Sequence, residues 1–551
     1  MSSAIYYQSD GYKLGKNKIM GRQVAGNSFL KAYFKYTKDS QFWVYSSNKS
    51  GAEEFCSFAR ENGRKEEVKF IDFRNTAALK EPGILFYPGP DISLHSKRRS
   101  LYQNNAWSLC GITHTICSAK IMESIQNLVT SPVHPWDALI CTSKAARSNI
   151  IKILEVEEEN LRHKLKASNF TRPQLPIIPL GIDSSEFKFT KEEKINAKNY
   201  FNLINNEIVI LYVGRLSFHA KSNPFQMYKA LEEVALISKR KIVLIECGMY
   251  ASDGIKEAFY KASKSICPSI NIIRVNGGGN NEKLKAYAAA DIFCSLSDNI
   301  QETFGITPIE AMASGLPVIV SDWNGYKDTV RDGIDGYRIP TFMPESGNGI
   351  DFAIRYALEI DNFDMYIGNI SNSISVSDSY LMQAFYKLIT NDKLRVEMSK
   401  NAIKRVSDEF DWSKIIIKYQ NLWDDLINTR INSENYNYKW SSRLDPFYAF
   451  SAYPTFSITD ESKLKLKEND LDLTMKKLDK VKKLFIVNYS NYTMPDQKFL
   501  IRIVEVISDQ IVTIYALKSN FKEINSTYLI RSIAWMNKFG IVEIQMSENI
   551  K

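Results

Sequence analysis

The sequence predicts an α/β fold with two doubly wound lobes. Short apolar runs rich in Val and Ile, such as residues 208–213 and 316–320, alternate with longer segments of helical periodicity. Continuous apolar runs of this kind are typical of parallel strands buried on both faces. The alternation resumes after a passage with two prolines and a glycine at residues 175–183. Because a domain has roughly 100 to 200 residues, a chain of 551 residues has room for both lobes.

The composition is that of an ordinary globular protein, with 44% hydrophobic and 24% charged residues, and it excludes disordered and collagen-like chains. The net charge of +9 is modest for this length and identifies no partner. The seven cysteines include no Cys-x-x-Cys pair, so we expect buried, reduced thiols rather than a zinc or redox site. The sequence begins without an apolar run of signal-peptide length and has no window long enough to span a membrane, which predicts a cytoplasmic protein.

The chain is predicted to divide into five parts, with the hinge between the lobes near residues 183–200. The parts are a first lobe at residues 1–190, a second lobe at 191–410, a helix at 411–430 that packs back on the first lobe, a linker at 431–483 and a small α/β module at 484–551. We expect a ligand in the cleft between the lobes, at the carboxyl ends of the strands.

The segments after the lobes carry less information about function. Residues 463–483 contain eight lysines and five leucines, which is typical of a solvated helix, and a basic helix lying on a membrane is the alternative. The last 60 residues predict helix, strand, helix and strand at 496–508, 510–517, 526–539 and 541–544. This order is similar to a winged helix, but no basic recognition helix stands out, so we expect packing or a protein contact and no nucleic acid.

Two cations follow the predicted strand 208–213. The strand runs directly into Gly214 and Arg215, and Lys221 comes six residues after the arginine. A buried strand that ends in glycine can direct both cations into a cleft, where paired positive groups suit a diphosphate. Solvated surface charges are the alternative.

A second stretch, residues 297–321, predicts the start of a helix at a loop. Thr307 is expected to be the N-cap, with Pro308 at the first helical position and Glu310 in a capping box. The free N–H groups of this turn form a site for phosphate oxygens. Glu302 and Glu310 bracket the turn and can accept hydrogen bonds from sugar hydroxyls, although a pure capping role and an exposed loop acid are the simpler interpretations of each alone.

Together these motifs resemble the retaining glycosyltransferases of family 4, which have the GT-B architecture. The resemblance covers residues 4–430 and rests on residues 213–216 with Lys221, on the Glu-x7-Glu pair formed by Glu302 and Glu310, and on residues 310–319 and 332–337. It implies two Rossmann-like lobes with a cleft between them. It also implies transfer of a sugar from a nucleotide-diphosphate donor with retention of the anomeric configuration, without a bound metal or other cofactor.

The resemblance also assigns roles to individual residues. Arg215 and Lys221 would hold the diphosphate, Glu310 would bind the ribose hydroxyls and Glu302 the donor sugar. The turn formed by Thr303, Phe304, Gly305 and Ile306 would contact the donor, and Gly277 would lie near the nucleotide base. His114 would lie beside the transferred sugar, as a catalytic residue together with Glu302, Arg215 and Lys221.

The first lobe carries a further match at residues 20–30, which are similar to the family's glycine loop. Gly21 there would let the backbone approach the diphosphate. Met20 stands where the family has another glycine, so the sequence leaves open which N–H group binds.

The sequence is compatible with several partners and rival functions. The acceptor can be a carbohydrate, a lipid-linked sugar or a protein, and a peripheral membrane contact is compatible with the sequence; the basic run at 97–99 can touch an anionic acceptor or form a solvated loop. The rivals are a nucleotide-sugar epimerase or hydrolase on the same scaffold, and a non-catalytic scaffold acting through residues 430–551. Residues 344–378 are additional to the family pattern, and we assign them no chemistry.

Overall fold

The computed structural model describes residues 3–13, 21–204, 206–434, 438, 440–493, 495–508 and 510–545. The chain divides into two compact units, Met1–Trp440 and Ser441–Lys551. The first unit contains both predicted lobes. The second unit is described separately below.

The first lobe is built on a parallel sheet of six strands, and these strands are short and mostly buried, as the apolar runs predict. The strands are β1 (Ala4–Tyr6), β2 (Gln41–Ser46), β3 (Glu67–Asp72), β4 (Ile84–Phe86), β5 (Ser108–Ile112) and β6 (Ala138–Ile140). Their order in the sheet is β3-β2-β1-β4-β5-β6. Ala4 of β1 lies opposite Trp43 of β2 on one side and Leu85 of β4 on the other. The helices are α1 (Ser9–Tyr12), α2 (Gly21–Tyr36), α3 (Lys49–Glu61), α4 (Ser93–Arg99), α5 (Ala119–Gln126) and α6 (Lys144–Leu165), with a 3₁₀ segment at Phe73–Lys80.

The second lobe repeats this plan around a second parallel sheet. Its strands are β7 (Ile208–Val213), β8 (Ile242–Gly248), β9 (Asn271–Asn276), β10 (Ile292–Ser295), β11 (Val318–Ser321) and β12 (Gly336–Ile339), in the order β12-β11-β10-β7-β8-β9. A short antiparallel pair follows, β13 (Thr341–Phe342) with β14 (Ser375–Val376). The helices are α7 (Lys191–Tyr200), α8 (Phe225–Ser238), α9 (Asp253–Ile266), α10 (Asn280–Ala289), α11 (Ile306–Ala313), α12 (Tyr326–Thr329), α13 (Ile350–Ala357), α14 (Phe363–Ser371), α15 (Asp378–Thr390) and α16 (Asp392–Arg405). The predicted α/β class with two Rossmann-like lobes is therefore confirmed.

The connection between the lobes is shorter than the sequence predicts. The hinge was expected at residues 183–200, but α7 begins at Lys191 with a capping box between Thr190 and Glu193, and this helix packs on α10 of the second lobe. At the connection, the N–H of Ile182 donates to the carbonyl of Phe410 at 3.0 Å, and the N–H of Trp412 donates back to Ile182 at 3.0 Å.

Helix α17 (Trp412–Ile431) returns from the second lobe and packs on the first. The indole Nε1 of Trp412 donates to Ser28 Oγ at 2.7 Å, and the ring of Tyr419 lies 5.3 Å from that of Phe29. The apolar face predicted for this helix is buried. A shared core therefore joins the two lobes.

The second unit is a small α/β module with a three-stranded antiparallel sheet. Its elements are α18 (Pro446–Ala449), β15 (Lys463–Leu466), α19 (Leu471–Lys483), α20 (Phe485–Asn488), α21 (Gln497–Ile507), β16 (Val512–Thr513), α22 (Ile514–Asn520), α23 (Ser526–Lys538) and β17 (Val542–Gln545).

Two expectations for this module are wrong. Residues 463–483 are not a linker, because β15 is the central strand of the sheet and Leu464 is fully buried in the core. The strand predicted at 510–517 contains only Val512–Thr513, and Thr513 then caps α22 by accepting from the N–H of Ala516.

All seven cysteines are free thiols, and six are buried. Among the described residues, no helix combines the length and apolar character needed to cross a lipid bilayer.

Candidate active site

The two predicted functional loops lie side by side at the carboxyl edge of the second sheet. The basic loop, residues 214–223, follows β7, and the acidic loop, residues 296–305, follows β10. Strands β7 and β10 are parallel neighbours, with Ile292 opposite Ile210. Because the carboxyl ends of neighbouring parallel strands meet at one edge, the chain brings both loops to the place where α/β folds bind ligands.

Both predicted cations reach the acidic loop. Lys221 Nζ donates to Glu302 Oε2. Arg215 Nη2 donates to Gln301 Oε1 at 3.0 Å and to the carbonyl of Ala220 at 2.8 Å. The guanidinium and ammonium groups therefore share one crevice with the turn that starts at residue 303.

Backbone and amide contacts tie the rest of the two loops together. Ser222 Oγ donates to the carbonyl of Leu296 at 2.7 Å, and Asn299 Nδ2 donates to the carbonyl of His219 at 3.0 Å. These bonds fix the basic loop relative to the acidic loop.

Two carboxyl groups of the acidic loop, Asp298, which is buried, and Glu302, which is 12% exposed, have opposite electrostatic environments. Burial raises the pKa of Glu302, but the charge and hydrogen bond of Lys221 and the N–H groups of Phe304 and Thr303 outweigh it, so its pKa lies below the ordinary value. Burial dominates at Asp298 and raises its pKa to about 7, because only the N–H groups of Asn223 and Asp298 oppose it. Glu302 is therefore held as an anion, whereas Asp298 titrates near neutrality.

The helix after the acidic loop begins earlier than predicted. Gly305 is the N-cap, with φ of +86°, and α11 starts at Ile306, so Thr307 is not the N-cap and Pro308 is not the first helical residue. A side chain on Gly305 would collide with the ring of Tyr326, which is a second reason for glycine here. The first N–H groups of α11, those of Ile306 and Thr307, have no acceptor within the helix.

Glu310 does not form the predicted capping box. Its carboxylate is buried and accepts from Lys283 Nζ at 3.0 Å and from the hydroxyl of Tyr287 at 2.8 Å. Both partners lie on α10, so Glu310 links two helices that border the crevice. Neither partner is singled out by the sequence, because their spacing from Glu310 carries no motif.

Three glycines allow close backbone packing at the same edge of the sheet. A Cβ on Gly248 would lie 1.9 Å from the carbonyl oxygen of Gly214, and one on Gly277 would lie 2.9 Å from the Cα of Gly248. These residues end or follow the neighbouring strands β7, β8 and β9. Gly277 is therefore packed in place rather than free in a flexible turn.

The first lobe contacts the acidic loop directly. Ser143 Oγ, at the start of α6, donates to the carbonyl of Thr303 at 2.8 Å. The ring of Phe304 is buried against Phe410. Thr303 and Phe304 thus anchor the turn through a carbonyl and a ring, and the N–H of Phe304 donates to Glu302 Oε1 at 3.5 Å.

His114 lies half-buried in the loop that follows β5 of the first lobe. Three residues later, Cys117 packs with Ala220 of the basic loop and with Ile367 of α14. The loop of His114 therefore faces the basic loop across the cleft. Gly21 is the first residue of α2, and Met20 lies outside the described residues.

Residues 344–378, for which the sequence predicts no chemistry, contact both lobes. They form α13, α14 and β14, and the hydroxyl of Tyr356 accepts from the N–H of Ala119 in the first lobe at 3.2 Å. Gly368 packs closely on His219 of the basic loop. This insertion therefore borders the cleft.

The basic run at 97–99 is only in part a surface feature. Arg99 is fully buried and forms an ion pair with Asp137 at 2.6 Å. Its guanidinium also donates to the carbonyls of Trp107 and Pro132. Arg99 holds the first lobe together and is not available to an acceptor.

Comparison with known proteins finds a family match in the second lobe. Residues 193–368 match the family model described as glycosyl transferases group 1. This match covers most of the second lobe, including the basic loop and the acidic loop.

Several curated relatives are glycosyltransferases by name. The chain is 24% identical over 233 residues to an uncharacterized glycosyltransferase of Methanocaldococcus jannaschii. This match covers 42% of this chain and 53% of the relative. It is 26% identical over 185 residues to the lipopolysaccharide 1,2-N-acetylglucosaminetransferase of Salmonella typhimurium. This match covers 33% of this chain and 47% of the relative. The chain thus spans about half the length of these relatives. A longer match, to the UDP-Gal:alpha-D-GlcNAc-diphosphoundecaprenol alpha-1,3-galactosyltransferase of Escherichia coli, is 20% identical and covers 61% of this chain and 75% of that one.

The fold is also found among solved structures. The Anabaena protein HepE in complex with UDP is similar with a TM-score of 0.50 at 13% identity, and the likeness covers 77% of this chain and 99% of HepE. The two lobes of this chain therefore have the GT-B fold, and residues 193–368 of the second lobe match the glycosyl transferases group 1 family.

Proposed function

We propose that this protein is a retaining glycosyltransferase that moves a sugar from a nucleotide-diphosphate sugar to a carbohydrate or lipid-linked acceptor. The observation that carries the proposal is the convergence of Arg215, Lys221 and Glu302 with the start of α11 in one crevice. Cations and helix N–H groups suit a diphosphate, and a fixed carboxylate suits sugar hydroxyls.

The reaction needs charge stabilisation more than a protein nucleophile. The bond between the anomeric carbon and the diphosphate oxygen breaks, the acceptor hydroxyl oxygen bonds to that carbon on the same face, and the hydroxyl proton passes to the departing diphosphate. Negative charge grows on the diphosphate as the sugar leaves. Arg215, Lys221 and the N–H groups of α11 stabilise that charge more in the transition state than in the ground state.

The ion pair of Lys221 with Glu302 gives both residues a double role in the proposal. The ammonium group has three donors, so it can hold Glu302 and a diphosphate oxygen at once. Glu302, with its position fixed by Lys221, would accept hydrogen bonds from the sugar hydroxyls through the remaining lone pairs of its carboxylate. Glu310, held by Lys283 and Tyr287, would accept from the ribose hydroxyls.

The remaining assignments follow from position. Gly277 lies at the carboxyl edge beside β9 and would let the nucleotide base approach the backbone. His114 and Gly21 would complete the site from the first lobe.

The proposal retains two expectations from the sequence, a reaction without a bound metal and a cytoplasmic location. Activity that survives a chelator would support the expectation of a reaction without a metal.

The names of the relatives guide the choice of donor and acceptor. UDP is bound in the HepE structure, and the matched Escherichia coli enzyme is named for a UDP-sugar donor and a lipid-linked acceptor. We therefore propose UDP-sugars as the first donors to test and a lipid-linked sugar as the first acceptor class.

A donor screen tests the proposal. The purified full chain is incubated with common nucleotide sugars, with and without acceptors, and release of nucleoside diphosphate is measured. Acceptor-dependent release for one donor supports a transferase. Release of free sugar without an acceptor requirement would favour the hydrolase, and conversion of the donor sugar would favour the epimerase. Absence of binding to any nucleoside diphosphate by calorimetry would leave the scaffold function.

The stereochemistry is tested on the product of the active pair. Nuclear magnetic resonance of the new glycosidic bond gives its anomeric configuration. The same configuration as in the donor supports the retaining reaction, and inversion would contradict it.

A further inference from the structure

The C-terminal module exposes a short apolar segment that its own core does not need. We define the apolar segment as residues 484–492. Phe485 is 80% exposed and Tyr492 is 90% exposed, and Leu484, Ile486 and Tyr489 are also exposed. Five large apolar side chains in nine residues form a patch of the kind that marks an interaction site on a soluble protein.

The fold holds this segment in place. Val487 lies in the same segment but is buried in the core of the module. Its N–H donates to the carbonyl of Leu484 at 2.9 Å, and Asn488 Nδ2 donates to the carbonyl of Lys482 at 3.2 Å. The exposed side chains are therefore displayed by an ordered turn that is anchored through Val487.

A row of lysines leads to the apolar segment. Lys476, Lys480 and Lys483 are exposed, and their spacing puts them on one face of α19, which ends directly before the segment. Lys483 pairs with Asp479 at 2.5 Å. Lys476 and Lys480 form no ion pair with any residue that the structure describes. Two free ammonium groups and a third, shared one thus accompany the exposed aromatic side chains.

Charge distinguishes this patch from two other apolar surfaces of the chain. Residues 444–458 also expose aromatic side chains, but their only charged residue is Asp445. The exposed face of α13, with Ile350, Ile354 and Leu358, is bordered by Asp351 and Glu359. Of these three surfaces, the apolar segment is the one that joins exposed aromatic residues to a row of cations.

We propose that the apolar segment and the lysine row of α19 bind the surface of an anionic lipid membrane. Tyr and Phe side chains lie favourably at the boundary between headgroups and acyl chains, and lysines are attracted to anionic headgroups. The short segment would insert at the interface only. This inference goes beyond the proposed transferase activity and does not depend on it.

Vesicle flotation of the purified full chain tests the proposal without any sugar substrate. The probes are phosphatidylcholine vesicles with and without phosphatidylglycerol. We expect the chain to float with the anionic vesicles, much less with the neutral ones, and less in high salt because salt screens the attraction. Absence of flotation with both kinds of vesicle would overturn the proposal.

Two sets of variants locate the contact. The double variant Phe485→Ser, Ile486→Ser should reduce the partition coefficient about tenfold or more, because exposed apolar area is lost. The variants Lys476→Gln and Lys480→Gln should each reduce it about fivefold on anionic vesicles. The lysine variants keep the test valid if the serine variant fails to fold.

The matched control also replaces two exposed apolar side chains, but on the exposed face of α13. Ile350→Ser with Leu358→Ser should float like the wild type. Flotation of the Phe485→Ser, Ile486→Ser variant at the wild-type level would overturn the assignment. A lipid-free dimer that this variant abolishes would identify a second copy of the chain as the occupant instead.

Discussion

Lys221 donates to Glu302, so that the cation of the basic loop and the carboxylate of the acidic loop neutralise each other within one crevice. The pair lowers the pKa of Glu302 in spite of its burial. It also fixes the position of the ammonium group, which would otherwise move on a flexible stem. Under the proposed function, a diphosphate that enters the crevice would meet a cation already in place, which is the preorganisation that favours catalysis.

The first prediction concerns this cation. Lys221→Ala should lower the rate of sugar transfer roughly a hundredfold or more, as expected for loss of a group that stabilises transition-state charge. The measurement is kcat/KM for the donor found in the screen, with circular dichroism to verify the fold. Lys229→Ala is the control, because Lys229 forms an exposed pair with Asp378 on the same lobe. Near-normal transfer by Lys221→Ala would contradict the assigned role.

The second prediction concerns pH and Asp298. Burial raises the pKa of Asp298 from its ordinary value of 3.8 to about 7 in the folded protein. Between about pH 4 and 7, the folded protein therefore keeps a proton on this carboxyl group that the unfolded chain has already released. This group therefore lowers the free energy of unfolding as pH rises, by about 1.4 kcal/mol per pH unit within that range. The buried His95, with its pKa lowered to about 3, contributes the opposite slope below its ordinary value.

The difference between the wild type and Asp298→Asn isolates the carboxyl group, because His95 is common to both proteins. We expect the asparagine variant to gain stability relative to the wild type as pH rises from 5 to 7. Denaturant unfolding of both proteins at several pH values measures the difference in their free energies of unfolding. A constant difference across this range would show that Asp298 does not titrate there.

The third prediction concerns the packed glycines. Gly277→Ala puts a Cβ 2.9 Å from the Cα of Gly248, and we expect it to cost about 1 to 3 kcal/mol of stability and to weaken nucleotide binding. Gly279→Ala is the matched control, because a Cβ there has open space and should change stability by less than about 0.5 kcal/mol. Thermal unfolding and calorimetry with UDP provide both readouts. Equal effects of the two substitutions would contradict the close packing at Gly277.

The fourth prediction concerns the insertion that borders the cleft. Tyr356→Phe removes the hydroxyl that accepts from the N–H of Ala119, and we expect a loss of about 0.5 to 1 kcal/mol in the free energy of unfolding. Tyr380→Phe, which alters an exposed residue of the same lobe, should change stability by only a few tenths of a kcal/mol. If the two variants unfold alike, the hydrogen bond between the lobes contributes nothing measurable.

The sequence by itself determined the fold class and the two loops of the site. Apolar runs such as 208–213 and 316–320 form buried parallel strands because their lack of polar positions allows burial on both faces. The residues 214–221 and 297–310 were found because chemistry-bearing side chains directly follow such strands. The helix at 411–430 was found because its apolar positions keep a helical period.

Only the tertiary structure decided which partners these residues have. The carboxylate of Glu310 fits a capping box by spacing, but the fold brings Lys283 and Tyr287 against it and starts the helix at Ile306 instead. The buried pair of Arg99 with Asp137 joins residues far apart in the chain, so local charge patterns predict a surface run. Ion pairs and hydrogen bonds between distant residues depend on how the sheets and helices pack, and no local pattern of residue types contains that information.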